Sequence, residues 1–402
     1  MINIAVLGYG TIGSGVVEIV DKNQAVLQKK TRHAVEVKYV LDLREFPGTP
    51  VEHKVVHNFA VIENDADVQV VVETMGGLEP ACTFAKRALK AGKAYVTSNK
   101  ELVAKHGAEL IALAKENNTN FLFEASVGGG IPIIRPLIEC ITGDEILEIA
   151  GILNGTTNYI LTQMTEEGWS FEDALKDAQD KGYAERNPEA DIEGHDARRK
   201  IAILGSLAVG QQIDFEDVYT EGITKVTASD ICYAKALGCK IKLLGTYKNV
   251  NGRHFAMVAP KMVPYEQPLS TVSGVFNSIF VTGNMLGNAM FYGAGAGKLP
   301  TASAVIADVV EAINMMNQNI RILWEADKLT LTSTDDFEQK VFVRMKDCVD
   351  KEKVAAVFGD VNVVEADGVT GEYAFVTDVM KEKDLKEKVG EFSEILGYLR
   401  MA

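Results

Sequence analysis

The sequence predicts an α/β protein: a parallel sheet with helices on both faces, then an α+β region, then a small βαββαβ tail. Three observations predict it. Strand-like and helix-like segments alternate densely over the first 125 residues. A Gly-x-Gly-x-x-Gly turn follows the first apolar run, where a fold of this kind opens. Both patterns break at Gly128-Gly129-Gly130-Ile131-Pro132, beyond which longer helices and separate strands take over.

The elements follow in order. Residues 2–8 are an apolar run ending at glycine, read as a strand, and helical spacing covers 12–30. The β-branched stretch 35–41 is a strand, as is 68–74, too short for a buried helix. Helical spacing over 79–91 stops at Gly92; 94–97 reads as strand, 102–117 as helix and 120–123 as strand. Past the glycine break, 146–153, 215–219 and 254–258 read as strands, and 158–167, 171–182 and 197–209 as helices. A second glycine cluster at 293–297 precedes Pro300 and a helix over 301–316. A polar linker at 332–336 leads to the tail: strand 341–345, helix 351–358, strands 361–365 and 372–377, helix 383–395, strand 397–401. The expected domains are 1–130, with the helix near 301–320 returning to it, 131–320, and 338–402. That agrees with a prior of about 150 residues per domain.

Composition narrows the function classes. The chain has 402 residues, is 47% hydrophobic and 24% charged, and carries a formal net charge of −15. These proportions suit a globular protein, and an acidic chain without a basic tract is a poor ligand for nucleic acid or anionic membrane. Five cysteines without CxxC spacing argue against a zinc cluster or a disulfide framework and suit a reducing compartment. No uncharged stretch reaches the roughly 18 apolar residues of a membrane span. The N-terminal run has no basic region ahead of it and reads as a strand, not a signal peptide. A cytoplasmic protein is expected.

The turn Gly8-Tyr9-Gly10-Thr11-Ile12-Gly13 sits between strand and helix, as in a Rossmann-type dinucleotide domain. Gly8 permits the tight turn, Gly10 lets backbone approach a pyrophosphate, and Gly13 lets helix pack on strand. The helix start offers N–H groups and positive dipole to phosphates. Asp42 ends the second strand, where an acid accepts from the ribose hydroxyls of NAD, but it lies 29 residues past Gly13, beyond the usual spacing of about 20. Arg44, two residues on, suits the 2′-phosphate of NADP. NAD, NADP and a plain loop ion pair all remain open on these residues.

A dense polar cluster runs from Tyr183 to Lys200 ahead of an apolar helix. Asp196 and Lys200 are four apart and share a helix face, with Glu185 and Asp191 in the approach. Carboxylates facing a lysine suit a small zwitterion: they hold its ammonium and leave the lysine near a reacting oxygen. A solvated helix start with an ordinary i,i+4 pair explains the spacing equally well. His195 falls off that face and is expected at the surface.

The chain resembles homoserine dehydrogenase over nearly its full length. The resemblance rests on Ala178-x-x-x-Gly182-Tyr183-Ala184-x-x-Asn187-Pro188-x-x-Asp191-Ile192-x-Gly194-x-Asp196-x-x-x-Lys200. Ser98-Asn99-Lys100, Glu124 through Pro132, Asn154-Gly155-Thr156-Thr157-Asn158 and Gly295 through Val305 fit the same family in order. It implies interconversion of L-homoserine and L-aspartate 4-semialdehyde with NADP or NAD, a step shared by threonine, methionine and isoleucine synthesis. It implies that Lys200 is the acid/base lysine and that Asp196, Glu185 and Asp191 are acidic residues of the substrate site. Lys100 matches a lysine between cofactor and substrate, and Thr156 and Tyr183 match residues beside the substrate. The cofactor set it implies is Gly8, Gly10, Thr11, Ile12, Gly13, Asp42, Ser98, Lys100, Gly182 and Gly295. The stretch from Glu124 resembles a cation loop in which Glu124 and the carbonyls of Val127, Gly129 and Ile131 coordinate a structural Na+. A homodimer or higher homo-oligomer is the family's usual state. A lysine beside aspartates is expected to have its pKa raised, which leaves the proton path between Lys200, Lys100 and water open.

The tail order resembles an ACT domain. Its effector loop usually carries glycine, whereas Lys346 through Lys353 here has neither Pro nor Gly. Weak or absent threonine inhibition is therefore expected, and a packing module is the favoured reading. Two other functions compete: a different Rossmann oxidoreductase acting on a small amino-acid aldehyde or alcohol, and a non-catalytic amino-acid sensor. The 178–200 pattern weighs against the first, intact Asp196 and Lys200 against the second. No aspartate kinase segment is expected ahead of the glycine turn.

Overall fold

In the computed structural model, which describes residues 1–402, the N-terminal apolar run forms β1 (Ile2–Leu7), the centre of a parallel sheet. Ile4, Val6 and Leu7 are fully buried, as a strand covered on both faces requires. With β2 (Val35–Leu41), β3 (Val55–Val56), β4 (Val68–Glu73), β5 (Ala94–Thr97) and β6 (Phe121–Leu122), the order is β3-β2-β1-β4-β5-β6. All five pairs are parallel. Strand order reverses between β1 and β4, so the crevice beyond their carboxyl ends is where such sheets hold ligands.

These elements lie in the first of two units, Met1–Ile146 with Ala202–Phe215 and Gly283–Leu329. Within it the helix Lys298–Asn314 returns to the sheet, and Val305, Val309 and Ile313 share one core with Val6, Val16 and Val20. Its contact with the helix Thr11–Lys22 requires Gly15, because a Cβ there would lie 2.8 Å from Lys298 O and 3.0 Å from Ala302 Cβ. The pattern expected to be one helix over 12–30 is two, Thr11–Lys22 and Gln24–Thr31. The chain leaves helical geometry at Asn23 (φ −107°, ψ 22°), a residue whose side chain competes for backbone groups.

The second unit is Leu147–Ile201 with Glu216–Thr282 and Thr330–Ala402. Its strands are β7 (Ile146–Ile152), β8 (Cys239–Val250), β9 (Arg253–Pro264), β10 (Phe276–Gly283), β11 (Val341–Lys346), β12 (Asn362–Val364), β13 (Glu372–Val376) and β14 (Ile395–Met401). They run in the order β10-β7-β8-β9-β14-β11-β13-β12. The tail is βαββαβ, with helices Lys351–Phe358 and Glu382–Gly390 on a core of Val343, Val354, Phe375 and Leu385. Its last strand continues the sheet before it, since β14 pairs parallel to β9 at Lys261↔Arg400 and Met262↔Met401. Arg400, 1% exposed, bonds Glu382 twice and reaches Glu221 and Tyr219.

The strand expected at 215–219 is instead a 3-10 turn, Phe215–Asp217, followed by a short strand, Tyr219–Thr220. Glu216 and Asp217 interrupt the apolar alternation that a half-buried strand needs. The tail helix expected to run to 395 stops at Gly390. No helix is long and apolar enough to cross a membrane.

Candidate active site

The glycine turn has the geometry its spacing predicts. Gly8 takes φ +91°. A Cβ on Gly13 would lie 1.9 Å from Gly8 O, so helix and strand approach as only glycine allows, whereas a Cβ on Gly10 would meet nothing within 4 Å. That open side is the one a pyrophosphate needs, and Gly10 N-caps the helix whose first residues are Thr11, Ile12 and Gly13. Asp42 closes over the turn: its Oδ2 accepts from Tyr9 N at 2.9 Å and from Arg44 Nη2 at 3.0 Å, and its Oδ1 from Arg44 Nε at 3.0 Å. The Arg44 guanidinium holds the Asp42 carboxyl down at about 2. Ser98 N bonds Glu73 O. Next to it Asn99 caps the helix Lys100–Glu116 through Leu102 N (3.1 Å), which makes half-buried Lys100 its first residue.

The lysine–carboxylate cluster belongs to the second unit. Asp196 and Lys200 lie on one face of the helix His195–Val209, with Nζ 2.7 Å from Asp196 Oδ2. Asp196 is 3% and Lys200 8% exposed, which overturns the solvated helix start. Lys200 Nζ also donates to Leu153 O at 2.8 Å. The paired glycines Gly151 and Gly245 make room for Leu153, since a Cβ on either would approach its side chain to 2.7–2.8 Å. Asn154 then ties the carboxylates together: its Nδ2 donates to Asp191 Oδ1 at 2.7 Å and to Asp196 Oδ2 at 2.9 Å. Its Oδ1 accepts Thr157 N at 2.9 Å and so caps the helix Gly155–Glu166. The sequence reading gave Asn154 no role. The available signal was an asparagine at a strand-to-helix junction, a cap position with a side-chain amide to spare.

Buried Thr156 donates to Tyr183 O at 2.6 Å, and the Tyr183 ring meets Tyr159 edge-on at 5.0 Å. Glu185 is exposed, and its carbonyl accepts from Gln179. Gly182 turns the chain with φ +73°. His195, expected at the surface, is half-buried, with its Nδ1 enclosed and without a hydrogen bond.

In the first unit, Gly129 (φ +59°) packs so close to Gly295 that a Cβ would lie 2.2 Å from Gly295 O. Gly130 N bonds Ala294 O, and Ile131 N bonds Gly128 O. Val127 and Ile131 are buried. The Glu124 carboxylate accepts Ile133 N, Ile134 N and Arg135 N at 2.6–2.8 Å, and Glu124 N donates to Asp308. The Glu124 side chain thus anchors the turn at 133–135.

The chain is similar to known proteins along its length. The family described as homoserine dehydrogenase matches residues 132–310, and its NAD-binding domain matches 8–124. A homoserine dehydrogenase of Bacillus subtilis is 42% identical over 323 residues, 79% of this chain and 74% of that one. The solved homoserine dehydrogenase of Thiobacillus denitrificans superposes with a TM-score of 0.90 at 32% identity, covering 100% of this chain and 98% of that one. A hyperthermophilic archaeal homoserine dehydrogenase mutant, solved in complex with NADPH, has a TM-score of 0.67 at 29% identity and covers 80% and 99%. A glycine turn shaped for a dinucleotide, a buried lysine held by Asp196 and matches across both domains agree: the chain belongs to the homoserine dehydrogenase family, the NAD(P)-dependent oxidoreductases of homoserine.

Proposed function

We propose that Lys200 is the acid/base group of the homoserine dehydrogenase reaction. One observation carries this: buried Lys200, Asp196 and Asn154 are bonded together, with half-buried Asp191 joined to them through Asn154. When bound, the nicotinamide supplies or accepts the hydride. As charge builds on the aldehyde oxygen, Lys200 Nζ stabilises it and donates a proton; in the reverse direction it accepts the hydroxyl proton. Asp196 keeps the lysine oriented through its 2.7 Å bond. Asp191, Asp196 and Glu185 hold the substrate ammonium, with Thr156 and Tyr183 beside it and Lys100 as a second lysine of the reaction. Asn154 positions both aspartates.

For the cofactor we propose NADP, held by Gly8 through Gly13, Ser98, Lys100, Gly182 and Gly295. Arg44 has spent the Asp42 carboxylate that NAD would require, and its own side chain is 63% exposed toward a 2′-phosphate. Carbonyl oxygens of Val127, Gly129, Ile131 and Glu124 suit a hard cation, so a structural Na+ is proposed there. The chain is further read as a cytoplasmic homodimer of threonine, methionine and isoleucine synthesis. Its domains are read as 1–130, 131–320 and an ACT-like 338–402 of weak threonine response.

The test follows absorbance at 340 nm with L-homoserine and NADP+ or NAD+ in parallel. Turnover with NADP+ is expected, falling at least about tenfold in kcat/KM in Arg44→Ala while NAD+ turnover holds. Equal use of both cofactors by both proteins would reject Arg44 as the phosphate reader.

A further inference from the structure

We propose that Tyr159 is a positioning residue for homoserine: its hydroxyl, held by Asp177 and Lys181, sets where Tyr183 and Glu185 stand and so how tightly substrate is bound. All five residues lie within the second unit. This role rests on the substrate contacts proposed above for Tyr183 and Glu185.

Tyr159 belongs to the helix Gly155–Glu166, three residues after Thr156, so the two side chains are neighbours on one face. Tyr159 is 6% exposed, and so enclosed a phenol needs a hydrogen-bond partner. It has two, both at the end of the helix Phe171–Asp180. The hydroxyl donates to Asp177 Oδ2 and accepts from Lys181 Nζ at 2.8 Å. Lys181 Nζ also pairs with Asp177 at 2.9 Å, which closes the network. Burial and the Asp177 bond raise the Tyr159 phenol above its ordinary range, the bonds to Tyr159 and Asp177 raise the Lys181 ammonium, and Tyr159 and Lys181 together lower the Asp177 carboxyl. The network therefore keeps one protonation state across neutral pH.

The same helix end builds the substrate segment. Ala178 O accepts Tyr183 N at 2.8 Å and Ala184 N at 3.1 Å, and Gln179 Nε2 donates to Glu185 O at 3.1 Å. Residues 177–181 thus act in two directions. Ala178 and Gln179 fix 183–185, while Asp177 and Lys181 grip Tyr159. From the other helix, Thr156 bonds Tyr183 O at 2.6 Å and the Tyr159 ring meets the Tyr183 ring edge-on at 5.0 Å. Tyr183 and Glu185 are exposed, so their placement comes from these contacts with the two helices. The Tyr159 hydroxyl sets one helix against the other, and with it the distance from Thr156 to Glu185. Glu185 holds the substrate ammonium, which does not change during hydride transfer. Loss of the hydroxyl therefore acts on KM and spares kcat.

The test is Tyr159→Phe in steady-state assays with L-homoserine at saturating NADP+ or NAD+. Phenylalanine keeps the ring, and Asp177 keeps Lys181 as its partner, so no charge is stranded. KM for homoserine is expected to rise at least about fivefold with kcat within about twofold, by the same factor from about pH 6 to 9. Lys181→Arg, which still donates to the hydroxyl, should keep KM within about twofold, and Lys181→Met should raise it at least about threefold. In a Glu185→Gln background Tyr159→Phe should add less than about twofold, because both changes act on one ammonium contact. A general defect in folding would add its full factor in either background. An unchanged KM in Tyr159→Phe, a fall in kcat as large as the rise in KM, or full additivity with Glu185→Gln overturns the positioning role. If Glu185→Gln alone leaves KM unchanged while Tyr159→Phe raises it, the contact given to Glu185 fails and Tyr183 is the residue that Tyr159 positions.

Discussion

Replacing Lys200 by Met tests the catalytic assignment and the buried pair together. Methionine keeps an unbranched side chain one atom shorter and removes its charge. Lys200 and Asp196 side chains are 10% and 4% exposed and 2.7 Å apart. Removing one partner of so enclosed a pair costs about 3–5 kcal/mol, because the carboxylate stays buried without its cation. Leu153 O also loses its donor, adding about 1 kcal/mol. Activity should fall about 10²–10⁴-fold through loss of the proton donor. Adding Asp196→Leu removes the stranded carboxylate and should restore most of the stability, since an apolar pair often replaces a buried ion pair at no net cost. It should restore no activity. Urea unfolding gives the stability and absorbance at 340 nm the rate. Lys200→Met within about tenfold of the unmodified rate, or a double variant that regains turnover, would refute the reasoning.

Other outcomes follow from the same geometry. Gly10→Ala should fold with an unchanged melting temperature and bind NADPH at least about tenfold more weakly by fluorescence titration, since its Cβ enters open space beside the turn. Gly13→Ala, whose Cβ would lie 1.9 Å from Gly8 O, should instead lose stability by more than about 2 kcal/mol in the same unfolding assay. Arg400→Met strands Glu382, whose side chain is 1% exposed, and should cost about 3–5 kcal/mol while leaving the glycine turn able to bind NADPH.

Lys242 and Lys261 are register partners on β8 and β9, and burial pushes each down to about 7. Between about pH 7 and the ordinary lysine range the folded chain holds fewer protons than the unfolded one, so stability rises with pH there and is lost as pH falls through 7. Lys261→Met should flatten that rise in melting temperature, and an unchanged slope would remove Lys261 as its source.

Much of the fold was legible because local rules and tertiary packing agreed. The strand at 94–97 is buried throughout, as a covered parallel strand is, and 35–41 lies where its β-branched residues placed it, with Val35, Val37, Val40 and Leu41 buried and Glu36 exposed. The long hairpin of β8 and β9 was only partly read, although Asn251 (φ +53°) and Gly252 (φ +79°) form the two-residue turn that marks one. Glycine spacing gave the dinucleotide turn, and i,i+4 spacing gave the Asp196–Lys200 pair.

What the sequence by itself determined was local: periodicity, turn chemistry and the partners that helical spacing brings onto one face. Only the tertiary structure decided whether that pair was exposed or buried. Burial depends on Leu153 and Asn154, some 40 residues away in sequence, and on paired glycines in separate strands. The structure likewise set the Glu124 carboxylate on the amides of 133–135, and closed Asp42 with Arg44. A carboxylate's role is set by the donors that reach it. In a folded chain those donors come from elements whose meeting no local pattern records.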